Sequence, residues 1–341
     1  MFLAGDIGGT KTVLALYEEK SNPSTPLAEE NYPSTRYESL NQIVEEFLRA
    51  NRPGQKRVHR AAFGVAGPIV GGTATLPNLP WVIEESKLKE TFEFESAALI
   101  NDLEAIGHAV PVLGSSDLAT IKEGVPEQHG NIAVIAPGTG LGETFLSWDG
   151  SRYTVHPSEG GHADFAPVDQ FQIGLLEYLL GHFEHVSYER VCSGTGIPNI
   201  YAYIKDSGSA EEPDWLTEEL KKAEDPNAVI INVASDEKLA CQICTLTAET
   251  FVSILAAEAG NMVLRHMTTG GLFLGGGIPP RILPFLRKPN FRQWFIQKGR
   301  LSRLPERVPV RVILNTKVAL IGAASLVLQQ AETSGQISPS T

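Results

Sequence analysis

Cysteine is scarce. Cys192, Cys241 and Cys244 are the three in 341 residues, an odd and sparse set that excludes a disulfide framework and points to a reducing compartment. Cys241 and Cys244 have C-x2-C spacing, but no second pair or finger-spaced histidines follow, so buried thiols are expected rather than zinc ligands. Positive charge is short too: 28 Lys and Arg against 40 Asp and Glu leave a net charge of -12. Nucleic-acid scanners and membrane-surface proteins need positive surface, so neither partner is expected. No stretch reaches the roughly 18 uncharged apolar residues of a membrane span. The first residues show no basic-then-apolar leader, because Asp6 breaks the run Phe2-Leu3-Ala4. A cytoplasmic protein is the expectation. The glycine-rich stretches fit neither the P-loop G-x-x-x-x-G-K-[ST] nor a G-x-G-x-x-G turn opening a helix.

What is present is an alternation of strand-like and helical runs, in a chain long enough for two domains and 42% hydrophobic. Val13 to Tyr17, Ala61 to Val65, Ala97 to Ile100, Ile132 to Ala136, Leu272 to Leu274 and Val310 to Leu314 read as strands. Helical spacing of Leu40, Ile43, Val44, Phe47 and Leu48 predicts a helix over Tyr37 to Ala50. Further helices are expected at Leu103 to Val110, Thr245 to Met267 and Lys317 to Gln330, the last apolar enough to be buried. Asp206 to Pro226 is charged and helix-prone, and the polar tail from Glu332 to Thr341 is expected to fray.

A short apolar strand runs into a Gly/Thr turn twice, at Asp6 to Thr12 and at Pro137 to Gly142, and a glycine-rich strand end recurs at Gly275 to Gly277. Units repeated in this way predict two similar α/β lobes with a cleft between them. Such turns present several backbone N–H groups to one anion, with no Cβ in the way. Threonine hydroxyls and Lys11 add donors, and Asp6 is placed to hold hydrated Mg2+ beside phosphates. A tight hairpin with Asp6 bonding its own turn is the competing explanation. Asn101-Asp102 follows a strand and precedes a helix, where either an N-cap or a proton-accepting carboxylate fits. In Ser158 to Pro167, Glu159 and His162 flank two glycines, and the apolar Phe165-Ala166-Pro167 behind them suggests a turn pinned to a core. Glu189 lies among apolar neighbours in YERVCSG, as a functional acid or an ordinary surface helix position.

Taken together, GDIGGTKT, LINDLEA, APGTGLGE, SEGGHADFAP, YERVCSGTGIPNIY and GGLFLGGGIPPR occur in the order found in bacterial glucokinases, and the chain resembles that family from about Leu3 to Gln330. The likeness is to the ATP-dependent, non-zinc type. It implies the duplicated, ribonuclease H-like α/β fold of sugar kinases, Hsp70 and actin, with a mixed five-stranded sheet in each lobe. The small lobe would comprise residues 1–111 and 317–330, the large lobe 112–316, and a flexible tail 331–341. By the same resemblance Asp102 is the catalytic base, and Asn78, Asn101, Glu159, His162 and Glu189 join it around glucose. Asp6, Gly8, Gly9, Thr10, Lys11 and Thr12 form the first phosphate loop, Gly138, Thr139 and Gly140 the second, and Gly275, Gly276 and Gly277 meet the adenosine. The implied cofactors are ATP and Mg2+, and the implied assembly is a homodimer.

Two departures stand out: Lys11, and Pro137 before Gly138, which removes one N–H without blocking the donors at Gly138 to Gly140. Lys11 stands where many members carry Asn, and GGTK is more typical of the neighbouring repressor-and-kinase family. That family has a cysteine-rich zinc motif after its E-G-G-H block, where this chain has Phe165-Ala166-Pro167. The competing readings are another hexose or N-acetylhexosamine kinase, a sugar-sensing regulator, and a chaperone-type or filament ATPase. The regulator lacks a basic helix-turn-helix, and the ATPase would leave Glu159, His162 and Glu189 idle.

Overall fold

The computed structural model describes residues 1–19, 21–51, 56–76, 78–236 and 238–335. The chain divides into two units, Met1–Gly114 joined by the segment from Asn315, and Ser115–Leu314.

In the first unit, β1 (Phe2–Ile7), β2 (Lys11–Tyr17), β3 (Ala28–Pro33) and β4 (Arg60–Val65) precede a small three-stranded sheet of β5 (Ile69–Val70), β6 (Thr73–Thr75) and β7 (Val82–Glu84), and β8 (Ser96–Asn101) follows. The main sheet has the order β3-β2-β1-β4-β8. β1 runs antiparallel to β2 and parallel to β4, which runs parallel to β8. Successive side chains of a strand point to opposite faces, so a strand covered on both sides reads as a continuous apolar run. Leu3, Ile7, Leu14, Leu16 and Phe63 therefore pack on one face with Ile43 and Phe47 of the helix Leu40–Asn51. Phe2, Ala4, Val13, Ala15 and Tyr17 pack on the other with Leu320, Ala323 and Val327 of the helix Val318–Gly335. That helix crosses the helix Asp102–Ala109 so closely that a Cβ at Gly322 would run into the Ala105 carbonyl.

The second unit repeats the plan. Its strands are β9 (Leu118–Lys122), β10 (Ile132–Pro137), β11 (Leu141–Trp148), β12 (Tyr153–Ser158), β13 (Gly271–Leu274) and β14 (Val310–Ile313), in the order β12-β11-β10-β13-β14-β9. β10 is antiparallel to β11 and parallel to β13, and β13 is parallel to β14. The sheet has six strands, not the expected five. β9 adds to the β14 edge antiparallel, anchored by Lys122, whose ammonium donates to the carbonyls of Glu123, Glu306 and Val308 at 3.1, 2.7 and 2.9 Å.

Against the sheet lies the helix Gln242–His266, long and apolar enough by composition to span a membrane. Its most apolar window is 83% buried inside the protein, so its hydropathy is that of a core helix. Cys241 and Cys244 are buried at its start.

Several boundaries differ from expectation. The helix expected from Tyr37 begins at Leu40, because Ser34–Arg36 forms a 3-10 turn and the extended Tyr37 uses its carbonyl to accept the Trp81 indole N–H at 3.2 Å. Helix in the 206–226 stretch is confined to Asp206 at one end, Asp214–Lys222, and Pro226 onward. The last helix continues past Gln330 to Gly335, into the segment expected to fray. Residues 336–341 of that tail lie outside the described residues.

Candidate active site

In the first unit the strand ends of β1, β4 and β8 lie side by side, with Asp6 paired to Gly64 and Val65 to Asn101. The turn after β1 is closed by the Gly8 N–H donating to the Lys11 carbonyl at 2.9 Å. Ser34 braces it from behind, its hydroxyl reaching the Gly8 carbonyl at 2.8 Å and the Thr12 hydroxyl at 2.9 Å. Thr12 is fully buried. Its hydroxyl is bonded to Ser34. Thr10 and Lys11 are exposed, and Gly9 lies against Asn78, whose Cβ would sit 3.1 Å from an added methyl.

Of the Asn101-Asp102 pair, Asn101 takes the capping role. Asn101 is the N-cap of the helix Asp102–Ala109, its side-chain oxygen accepting the Leu103 N–H at 2.8 Å. Asp102 shares that N–H and keeps an exposed edge. Protein packed around its carboxyl raises its proton affinity above the ordinary value, although the Leu103 N–H at 2.9 Å draws it part of the way back. Asp6 is pushed up to about 6, first by burial and then by the Asp102 charge, with Lys11 easing it. Asp6 and Asp102, the second raising the first, are a carboxyl pair short of positive charge. They fit a hydrated divalent cation. Among the described residues no three His, Cys, Asp or Glu side chains gather into a metal cage.

In the second unit the turn after β10 is closed by the Gly138 N–H to the Gly140 carbonyl at 2.8 Å, and the Gly138 carbonyl accepts the Gly194 N–H at 2.7 Å. Glu189, on the 3-10 turn Tyr188–Arg190, accepts the Leu141 N–H at 2.9 Å. It is no idle surface acid. Gly276 has φ +79, and a side chain there would strike the Pro137 carbonyl, so the Gly275–Gly277 strand end lies flush against the second turn. Gly277 is open.

Glu159 precedes the 3-10 turn Gly160–His162 and stands 92% exposed, 3.9 Å from the His162 ring. A Cβ at Gly161 would run into the Leu141 carbonyl, so this turn rests on the start of β11. Phe165 is buried edge-on to Tyr188 at 5.7 Å. The Phe165 N–H donates to Val186 and the Tyr188 N–H to Ala163, at 2.9 and 3.0 Å. These bonds tie the segments bearing Glu159, His162 and Glu189 into one piece.

Within the first unit, then, Asp6, the first turn, Asn78, Asn101 and Asp102 come together. Within the second, Gly138–Gly140, Glu159, His162, Glu189 and Gly275–Gly277 do. Two participants went unread in the sequence. Ser34 carries no motif. Glu143 is a charged residue buried in β11, and its one sequence signal is an acid at an inward position directly behind a glycine turn.

Two α/β units of one strand order, each with a glycine turn closing its first hairpin, define the duplicated fold shared by sugar kinases, Hsp70 and actin. A family model described as Glucokinase matches residues 3–330. The glucokinase of Trichormus variabilis is 41% identical over 340 residues, covering 95% of this chain and 98% of that one. The crystal structure of a glucokinase from an Antarctic psychrotroph aligns with TM-score 0.85 at 33% identity, over 96% of this chain and 98% of that one. A more distant fold relative is a ROK family glucokinase from Streptomyces griseus in complex with glucose and AMPPNP, with TM-score 0.60 and 19% identity over 95% of this chain and 98% of that one. The chain belongs to the glucokinase family.

Proposed function

We propose that the protein transfers the γ-phosphoryl group of ATP to the C6 hydroxyl of glucose, giving glucose 6-phosphate and ADP. The carrying observation is Asp102, a carboxyl of raised proton affinity just past the end of β8, beside Asp6 and the first glycine turn. Phosphoryl transfer leaves a protein little covalent work, so alignment and charge dominate. The backbone N–H groups of the two glycine turns bind phosphate oxygens, and Lys11 adds a cation. Asp102 accepts the C6 hydroxyl proton as the oxygen attacks, and its raised affinity brings it nearer the value that suits a general base. Asp6 would hold Mg2+, which, when bound, neutralises phosphate charge. Asn101, Glu159, His162 and Glu189, with Asn78 at the margin, pair with sugar hydroxyls, and a sugar lacking a matching hydroxyl leaves a polar group unpaired.

Family membership and the two turns support ATP as donor. The same resemblance supports a cytoplasmic homodimer, which light scattering on the purified chain tests. The decisive experiment is D102N. Turnover should fall by about 10²–10⁴-fold while glucose affinity stays within several-fold. Phosphorylation at the wild-type rate would remove Asp102 from the base role. A panel of hexoses and N-acetylhexosamines in an ADP-release assay fixes the acceptor.

A further inference from the structure

Beneath the Gly160–His162 turn lies a buried carboxyl that the proposed reaction does not use. Glu143 is 3% exposed, and its backbone pairs with Ile135 of β10 on one side and Ser158 of β12 on the other. Its Oε1 has no hydrogen-bond partner among the described residues. Its Oε2 sits where a Cβ at Gly160 would be, so the turn's backbone rests directly on the carboxyl.

The charged groups around it are already committed elsewhere. Glu258, on the helix Gln242–His266, is fully buried and ion-paired with Arg265. Asn261 donates to Glu258 at 2.9 Å and to the Tyr188 hydroxyl at 3.2 Å. Lys298 donates to the Ala257 carbonyl and to the Asn261 side-chain oxygen, both at 2.8 Å. The Cys192 thiol is completely buried and kept protonated by burial, Glu143 and Glu258. One arginine thus serves two buried carboxyls, and Glu258 holds it.

We propose that Glu143 is a positioning residue for the turn bearing Glu159 and His162, and that it supports that turn in its neutral, protonated form. The inference rests on the reading of that turn as the sugar loop. Burial first, and the Glu258 charge second, push Glu143 up to about 8, with Arg265 drawing it down. Its proton affinity is raised, so the neutral form prevails at pH 7, and the support is lost as pH rises through about 8. Above that value a second anion appears beside Glu258 and beneath Gly160, and the turn loses its seat.

The test is the glucose KM and the ATP KM of the full chain between about pH 6.5 and 9.5. In the wild type, glucose KM should stay level to about pH 8 and then rise by up to roughly tenfold per pH unit, with ATP KM level throughout. E143A should raise glucose KM at pH 7 by roughly five- to tenfold. E143Q, which copies the neutral acid, should bring it back to within about twofold of wild type and abolish the alkaline rise. A level wild-type profile overturns the proposal, as does an alkaline rise that persists in E143Q. Both measurements stand even where E143A does not fold. E159Q separates the two readings. An unchanged glucose KM in E159Q removes the sugar loop itself, and the proposal with it. A raised one beside a level wild-type profile condemns Glu143 alone.

Discussion

The turn at Gly8–Lys11 and the turn at Gly138–Gly140 occupy the same place in their sheets, each joining a central strand to its antiparallel neighbour. Each is closed by a backbone hydrogen bond of nearly equal length, 2.9 and 2.8 Å. Their supports differ. Behind the first stand two neutral hydroxyls, Ser34 and Thr12, with the Asp6 carboxyl on the strand leading in. Behind the second stands a carboxylate, Glu189, bonded to the first N–H of β11. A hydroxyl pair fixes a turn without adding charge to a phosphate site. A carboxylate so close to one is tolerable where it also serves another ligand, which is how Glu189 enters the sugar reading.

The comparison can be broken in three places, beyond the loss of turnover expected for D102N. The largest effect belongs to E189A, which removes the support of the second turn and, on the proposed function, a sugar contact with it. Losing a hydrogen bond to a charged group costs about 1.5–3 kcal/mol, so glucose KM should rise roughly 10- to 100-fold, with a smaller rise in ATP KM. A change in ATP KM alone would show that Glu189 braces the turn and touches no sugar.

Next comes a pair inside the second turn. Gly138 has open space where a Cβ would go, whereas a Cβ at Gly140 meets the Glu189 carboxylate, and neither glycine has a positive φ. G140A should therefore displace Glu189 and reproduce part of the E189A effect, and G138A should leave glucose KM within about twofold. Equal effects would mean that backbone conformation, not Glu189, governs the turn.

The smallest effect is that of S34A. It should cost about 1 kcal/mol of stability in a denaturant titration and raise ATP KM a few-fold without moving glucose KM. A shift in glucose KM would end the assignment of separate tasks to the two turns.

Much of this was legible in the sequence. Glycine and threonine at strand ends announced both turns, since few residues tolerate such bends. Asn101-Asp102 reads as either a cap or a base, and the structure gives the cap to Asn101. What the sequence withheld depends on long-range placement. Ser34 lies 22 positions from Thr12, and no local pattern marks it. β9 is a sixth strand because Lys122 finds carbonyls more than 180 positions downstream. The buried set of Glu143, Glu258 and Arg265 is equally silent. Each residue alone reads as a surface charge, and only the packing of the helix Gln242–His266 makes it an interior one.

The helix Val318–Gly335 covers the sheet face of Phe2, Ala4, Val13 and Tyr17, and this bears on how the chain is made. Residues 115–314 separate it from the rest of the first unit. At about 5–20 residues per second of synthesis, that insertion delays the helix by roughly 10–40 s. During the delay an apolar sheet surface lacks its cover, and the inserted unit itself waits for Val308, Val310 and Val312 of its core, made just ahead of the helix. The first-made strands are thus among the last to be sheltered, and in a chain cut short before Val318 that face would stay uncovered.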